Sequence, residues 1–143
     1  MDKPAISGNT ITVPSDLNYL VDVDNFVEGF LREWGLDDSV VADIAISVSE
    51  LVNNAVEHGS ATKTSPDDDR AVKVTVGKVA NSVKISVTDQ GSGFDPTEID
   101  DPLAEENLLK AAGRGIFIVR NLMDEVDIKT TPEGTVVTIT KNL

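Results

Sequence analysis

The strongest constraint on the fold is an apolar pattern with helical period between residues 37 and 58. Apolar side chains recur there every three to four residues, as on a helix that packs one face against a core. They are Val41, Ile44, Ala45, Val48, Leu51, Val52, Ala55 and Val56. Asp37 or Asp38 can cap the start, and Gly59 is expected to end the helix. The pattern predicts one long amphipathic helix that runs to about His58.

A shorter amphipathic helix is predicted before it, with apolar residues at helical spacing between positions 17 and 34. Ser15 or Asp16 can cap its start, and Gly35 can close it. Upstream, residues 6–13 mix Ile, Thr and Val with Gly and Asn, which favours a short strand or hairpin arm.

Alternating patterns dominate the second half of the chain. Apolar and polar residues alternate in 72–76 and 83–87 around a turn at 78–82, and two more strands are predicted at Val126–Thr130 and Thr135–Lys141. A third helix is predicted over Gly115–Met123. Helices grouped early and strands grouped late favour an α+β fold, a two-layer α/β sandwich with a largely antiparallel sheet and its helices on one face.

The formal net charge of -13 over 143 residues makes the chain strongly acidic. Binding to nucleic acid or to an anionic membrane needs clustered Lys and Arg, so neither partner is expected. An anionic ligand would need backbone N–H groups, a metal ion and a few positive side chains. The sequence has no Cys, which excludes disulfides and thiol catalysis. Without a leader pattern or a bilayer-length apolar run, one cytoplasmic domain over 1–143 is expected.

Glu50 and Asn54 lie four residues apart on the long helix, so their side chains stand one turn apart on one face, roughly opposite the apolar stripe. A carboxylate can take a proton from a hydroxyl group, and an amide oxygen can join the ligands around Mg2+. Taken alone, the pair fits a solvated helix face better than a ligand site.

Residues 89–94, Asp-Gln-Gly-Ser-Gly-Phe, directly follow a predicted strand. Gly91 and Gly93 let the backbone approach a ligand closely, and Asp89 offers only hydrogen-bond acceptors, which suits the amino group of adenine. The segment by itself also fits a tight turn with an Asp cap.

Gly113, Arg114 and Gly115 come immediately before the third predicted helix. Free N–H groups and the helix dipole favour an anion at such a position, although a flexible helix start has the same pattern. No Walker motif and no true GxGxxG are present, which disfavours P-loop and dinucleotide-binding folds.

The order of the three segments is more specific than any one of them. A Glu/Asn helix, a strand ending in DxGxG and a GxG that opens a helix resemble, over almost the whole chain, the ATPase superfamily shared by gyrase, heat-shock chaperones, histidine kinases and MutL. Within that superfamily the strings SELVNNAVEHG, DQGSGFDP and GRGIFIVRNLMDEV are most similar to anti-sigma-factor serine kinases of the RsbW and SpoIIAB type.

The resemblance implies a Bergerat-type ATP-binding fold that uses ATP and Mg2+. Residue by residue, it makes Asn54 the Mg2+ ligand, Glu50 the general base and Asp89 the carboxylate that recognises adenine. The resemblance assigns the phosphate-side backbone to four glycines: Gly91, Gly93, Gly113 and Gly115. It also suggests Arg114 as a phosphate contact and Thr135 as a threonine near the adenine.

The same resemblance implies a protein serine/threonine kinase that phosphorylates an anti-anti-sigma partner of the STAS type. It further implies sequestration of a sigma factor or another regulator, and a chain that can form a homodimer. The alternative is a non-catalytic switch, in which nucleotide binding orders a protein-binding surface without phosphoryl transfer.

Overall fold

The computed structural model describes residues 3–62, 71–89, 115–131 and 134–143. Its elements are β1 (Ala5–Ser7), β2 (Thr10–Pro14), a 3-10 helix (Leu17–Tyr19), α1 (Leu20–Glu33), α2 (Asp38–Thr62), β3 (Ala71–Val79), β4 (Ser82–Asp89), α3 (Gly115–Leu122), β5 (Glu125–Thr131) and β6 (Gly134–Asn142). The strands form one six-stranded sheet in the order β1-β2-β3-β4-β6-β5, with every neighbouring pair antiparallel. The predicted α+β class with a largely antiparallel sheet is confirmed.

One face of the sheet, here called the inner face, carries the core. Val74 of β3 lies opposite Val87 of β4, and Val87 lies opposite Val137 of β6. Because side chains alternate along a strand, the register also places Val72 and Val76 of β3 and Ile85 of β4 on the inner face. The helices bury their own apolar stripes in the same core, including Val27, Ile44, Val48 and Val119.

The other face of the sheet is polar. Hydroxyl groups pair across the strands there, with Thr10 Oγ1 2.9 Å from Thr75 Oγ1 and Ser86 Oγ 3.0 Å from Thr138 Oγ1. Such cross-strand pairs help to stabilise the register on this face, from which Val79 and Val136 also project. The sheet is therefore two-sided, with an apolar side that takes the helices and a hydroxyl-rich side.

Two predicted capping residues are found at the ends of the first helical segment, Asp16 before the 3-10 helix that leads into α1 and Gly35 after α1. Asp16 accepts a hydrogen bond from the Asn18 backbone N–H at 2.9 Å, and Gly35 adopts the left-handed φ of +72°. The first turn differs from the prediction because residues 17–19 form a 3-10 helix before α1 starts. Tighter 3-10 turns are common at helix starts, where backbone donors lack helical partners.

Two predicted boundaries are wrong. Helix α2 does not stop at Gly59 but continues to Thr62, because a glycine inside a helix costs only about 1 kcal/mol and ends it only in a left-handed conformation. The β3–β4 turn is shorter than predicted and consists of Ala80 and Asn81, with Ala80 at φ +53°. A two-residue turn with positive φ matches the twist of the paired strands.

Helix α2 also corrects the expectation that the chain has no apolar segment of bilayer-spanning length. The segment Asp38–Glu57 is long and apolar enough to span a bilayer. In the structure, however, one side of the segment packs in the core, where Ile44 and Val48 are fully buried, while Ile46 on another side is exposed. Its apolar character is that of a core helix.

Lys141 of β6 fixes how the last two helices lie on the sheet. Its Nζ donates to the backbone oxygen of Leu122 at 2.7 Å and lies 3.6 Å from Asp43 Oδ2. The C-terminal end of α3 and the first part of α2 therefore share one end of the sheet. The opposite ends of both helices point toward Asp89, where β4 ends and β6 begins.

Two glycine substitutions test the account of α1. Gly29 is exposed in mid-helix, and no atom lies within 4 Å of the position a Cβ would take. Gly29→Ala is expected to raise the free energy of unfolding by about 0.5–1 kcal/mol, because alanine restricts the unfolded chain and favours helix. Gly35→Ala should lower it by about 1–2 kcal/mol, because Gly35 has a left-handed φ. Urea denaturation measures both, and equal effects would contradict this account.

Candidate functional site

The two residues of α2 that were predicted to act on a ligand lie next to the first residue of α3. A Cβ added to Gly115 would lie 2.9 Å from Glu50 Oε2, 3.1 Å from Asn54 Nδ2 and 3.5 Å from Asn54 Oδ1. Both side chains therefore lie directly against the backbone at the start of α3. Any other residue at position 115 would displace them or push the helix away.

This contact lies at Gly115, the first residue of α3. The first N–H groups of an α-helix have no intrahelical acceptor, and the helix dipole is positive at that end. Glu50 and Asn54 thus lie beside a helix end that favours anions. We call Glu50, Asn54 and Gly115 the first cluster of the site.

The surroundings of Glu50 and Asn54 differ from the sequence-based picture. The sequence placed them roughly opposite the apolar stripe, where a solvated face was the simpler interpretation. In the structure both are half-buried, because α3 packs along that side of α2. Helical periodicity identifies the face of a helix but not a neighbour that is distant in the chain, as Gly115 is from Glu50 and Asn54.

The second cluster lies on the inner face of the sheet, at the end near the C-terminal end of α2 and the N-terminal end of α3. Asp89 is buried, with 6% of its surface exposed, and lies opposite Thr135 of β6. Thr135 in turn lies opposite Thr130 of β5. We call Asp89, Thr135 and Thr130 the polar row, because the next inner-face row is apolar and contains Val87 and Val137.

The two clusters lie at similar distances from the contact between Lys141 and Asp43, measured along α2 and along β6. Asn54 lies eleven residues beyond Asp43 on α2, or about 16 Å along the helix axis. Thr135 lies six residues before Lys141 on β6, or about 20 Å along the strand. Since Lys141 contacts Asp43, both clusters lie at the same end of the molecule.

The remaining predicted site residues lie outside the described part of the chain. They are Gly91, Gly93, Gly113 and Arg114. The chain leaves the described structure after Asp89 and re-enters it at Gly115, so this stretch connects the two clusters in sequence. The structure thus brings together Glu50, Asn54 and Gly115 in one cluster and Asp89 with Thr135 in the other.

Two features of this region were missed by the sequence analysis. Thr130 belongs to the polar row, and its sequence signal is that it continues the alternation of Val126 and Ile128. Asp24 of α1 accepts a hydrogen bond from Ser49 Oγ at 3.1 Å, which joins α1 to the residue before Glu50. No pattern in the sequence indicates this pair, because it depends on how α1 packs against α2.

Comparison with known proteins gives one family. The family model of the histidine kinase-like ATPase domain matches residues 13–141. The serine-protein kinase RsbW of Halalkalibacterium halodurans is 29% identical over 142 residues, covering 93% of this chain and 82% of the relative. The anti-sigma F factor of Thermoanaerobacter pseudethanolicus is 33% identical over 104 residues, covering 71% of this chain and 69% of the relative.

Solved structures show the same fold. The RsbU and RsbW domains of a Mycobacterium tuberculosis protein match at a TM-score of 0.63 with 25% identity, covering 95% of this chain and 33% of that one. The histidine kinase domain of a blue-light activated kinase from Erythrobacter litoralis matches at a TM-score of 0.56 with 20% identity, covering 97% of this chain and 66% of that one. This chain thus spans only a third of the mycobacterial structure.

The chain belongs to the histidine kinase-like ATPase family, in the group of RsbW-like anti-sigma kinases. The resemblance drawn from the three sequence segments is thereby confirmed. The family model covers α2, the polar row and the start of α3 within one match.

The partial burial of Asp24 predicts a pH dependence of stability. Burial raises the pKa of Asp24 above its ordinary value of 3.8, the hydrogen bond from Ser49 opposes this, and the nearby Glu28 charge adds to it. The folded protein therefore holds this proton more tightly than the unfolded chain. The carboxyl costs stability as the pH rises above 3.8 and through the raised pKa.

Asp24→Asn removes that cost and keeps an oxygen that can accept from Ser49. The variant is therefore expected to gain stability relative to wild type as the pH is raised from about 4 to about 7, because only the wild-type side chain becomes charged. Urea denaturation of both proteins at each pH measures the difference. A difference that stays constant over this range would contradict the prediction.

Proposed function

We propose that this chain binds Mg-ATP between the polar row and the start of α3, and transfers the γ-phosphoryl group to a serine of a partner protein. One observation carries the proposal. The close approach of Gly115 to Glu50 and Asn54 places an acid, an amide and a helix N-terminus together, at the end of the sheet where Asp89 is buried. Membership of an ATPase family supports the same ligand.

The polar row suits the adenine end of the nucleotide. An ionised carboxylate only accepts hydrogen bonds, so Asp89 favours the exocyclic amino group of adenine over the carbonyl oxygen of guanine. Thr135 lies directly opposite and offers a hydroxyl that can donate or accept. The apolar residues of the next row, Val87 and Val137, provide a surface for the flat ring.

The Glu50 and Asn54 cluster suits the phosphate end. Mg2+ prefers oxygen ligands, keeps several waters, and is often held by few protein groups together with substrate phosphates. Asn54 would supply an amide oxygen to it, and the N–H groups at the start of α3 would meet phosphate oxygens. When bound, the ion neutralises charge that develops on the phosphates. The residues present therefore fit Mg-ATP.

Glu50 is the proposed general base. It accepts the proton of the acceptor serine as the serine oxygen bonds to the γ-phosphorus, while the bond from that phosphorus to the bridging oxygen breaks and ADP leaves. The half-buried position beside α3 keeps the carboxylate close to the phosphate-binding helix end. Catalysis then depends chiefly on how the two substrates are positioned.

The names of relatives support the choice of partners. Relatives are serine-protein kinases named RsbW and anti-sigma F factors. We therefore assign to this chain a STAS-type anti-anti-sigma protein as phosphoacceptor and a sigma factor as the sequestered partner, in the cytoplasm and with a homodimer as the working assembly. Neither nucleic acid nor a membrane is part of this proposal, in keeping with the net charge of -13.

Calorimetric titration with Mg-ATP tests the ligand. Wild type is expected to bind, and Asn54→Ala is expected to bind at least about tenfold more weakly, because the Mg2+ ion would lose its amide oxygen ligand. Asn53→Ala is the matched control, since it removes the same group from the preceding position of α2. Failure of wild type to bind would refute the ATP site.

Incubation with ATP and a STAS-type protein from the same organism tests the reaction. Wild type should add the mass of one phosphate to the acceptor, and Glu50→Gln should lower the rate about 10²- to 10⁴-fold while still binding Mg-ATP. If Glu50→Gln transfers at the wild-type rate, the base is another group. If wild type binds Mg-ATP and the acceptor without transfer, the chain is a nucleotide-dependent switch instead of a kinase.

Gly115→Ala tests the close contact itself. The added Cβ would lie 2.9 Å from Glu50 Oε2, so the carboxylate or the start of α3 must shift. Because the far end of a side chain can move cheaply, the variant should fold, but a displacement near 1 Å can lower phosphoryl transfer about 100-fold. Gly29→Ala, in open space on α1, should transfer normally. Normal transfer by Gly115→Ala would show that this contact does not position the site.

A further inference from the structure

One buried hydroxyl group at the Asp89 end of the sheet has no hydrogen-bond partner among the described residues. This group is Oγ1 of Thr130. Buried polar groups in folded proteins are nearly always paired, because an unpaired one loses its hydrogen bonds to water. An unpaired hydroxyl that persists is therefore a candidate for pairing with a ligand.

The position of Thr130 points to which ligand. It lies opposite Thr135, which lies opposite Asp89, so the three side chains project from neighbouring strands on the inner face. Directly opposite residues are about 5 Å apart, so the row spans about 10 Å. A flat ring system bound at Asp89 and lying along the row would extend toward Thr130 of β5. The hydroxyl belongs to the same row as the residue proposed to recognise adenine.

We propose that Thr130 is a further nucleotide-binding residue, whose hydroxyl hydrogen-bonds the purine base held at Asp89, directly or through one water. This inference rests on the proposed Mg-ATP site. A hydroxyl can donate to a ring nitrogen or accept from the amino group, so it fits either edge of the base. Binding of the base gives Thr130 Oγ1 a hydrogen-bond partner. This hydrogen bond forms only in the nucleotide-bound state and therefore adds to the affinity for nucleotide.

The other buried hydroxyl without a partner in the described residues is that of Ser15. It follows β2 and directly precedes Asp16, which caps the 3-10 helix. It is therefore on the far side of β3 from Asp89, at the turn that leads into α1. Only Thr130 shares the polar row.

Thr130→Val distinguishes a ligand contact from a structural role. Valine keeps the shape and the strand preference of threonine but lacks the hydroxyl. Without nucleotide, the variant should melt at the same temperature as wild type or higher, because an unpaired buried hydroxyl has been removed. Its affinity for Mg-ATP and Mg-ADP, measured by calorimetry, should fall roughly tenfold. Thr130→Ser, which retains the hydroxyl, should bind nearly as wild type does.

Thr88→Val is the matched control. Thr88 lies beside Asp89 on β4 but projects from the opposite face of the sheet, so the same substitution should leave nucleotide affinity unchanged. Equal affinity of wild type and Thr130→Val for Mg-ATP overturns the inference and leaves the proposed function standing. Absence of Mg-ATP binding by wild type refutes the proposed function first and this inference with it. Should Thr130→Val fail to fold, Thr130→Ala is titrated in its place.

Discussion

Burial of the helices on the inner face of the sheet is the interaction on which the rest of the structure depends. The sheet offers rows of β-branched side chains such as Val74, Val87 and Val137, set opposite one another by the antiparallel register. A slip of one residue in any pair would turn polar side chains such as Lys73 and Thr88 toward the helices. The burial of one face therefore specifies the register. The register in turn determines the positions of all the remaining residues of the strands.

The same register builds the candidate site. The pairing that sets Val87 against Val137 also sets Asp89 against Thr135, two residues further along each pair of strands. The inner face is thus apolar along most of its length, where it packs against the helices. It becomes polar at Asp89 and Thr135, near the C-terminal end of α2 and the N-terminal end of α3. The polar row is the last row of the same strands whose apolar rows form the core. The strand pairing that forms the core therefore also positions Asp89, Thr135 and Thr130.

Much of the fold could be predicted from periodicity and turn chemistry. The order of helices and strands, the Asp16 cap and the Gly35 end follow from local pattern, since each depends on a few neighbouring residues. The predicted end of α2 was wrong, because Gly59 was taken as a stop signal although the helix continues through it to Thr62. The 3-10 turn at residues 17–19 was missed, because it is a small adjustment at a helix start.

For the candidate site, sequence reasoning chose Glu50, Asn54 and Asp89 because the order of the Glu/Asn helix, the DxGxG strand and the GxG helix resembles a known ATPase superfamily. It could not foresee that Gly115 would contact Glu50, because the two are distant in the chain. Thr130 was missed for a related reason, since its significance lies in an unpaired hydroxyl and a cross-strand neighbour. Neither property has a local signature.

The sequence by itself determined the class of fold, the family and the residue types available for chemistry, because alternation, helical spacing and short motifs are properties of neighbouring residues. The tertiary structure decided which of those residues meet. Contacts such as those of Gly115 with Glu50, Asp24 with Ser49 and Thr130 with Thr135 depend on how separate elements pack, and packing is a collective result of burying all the apolar stripes at once.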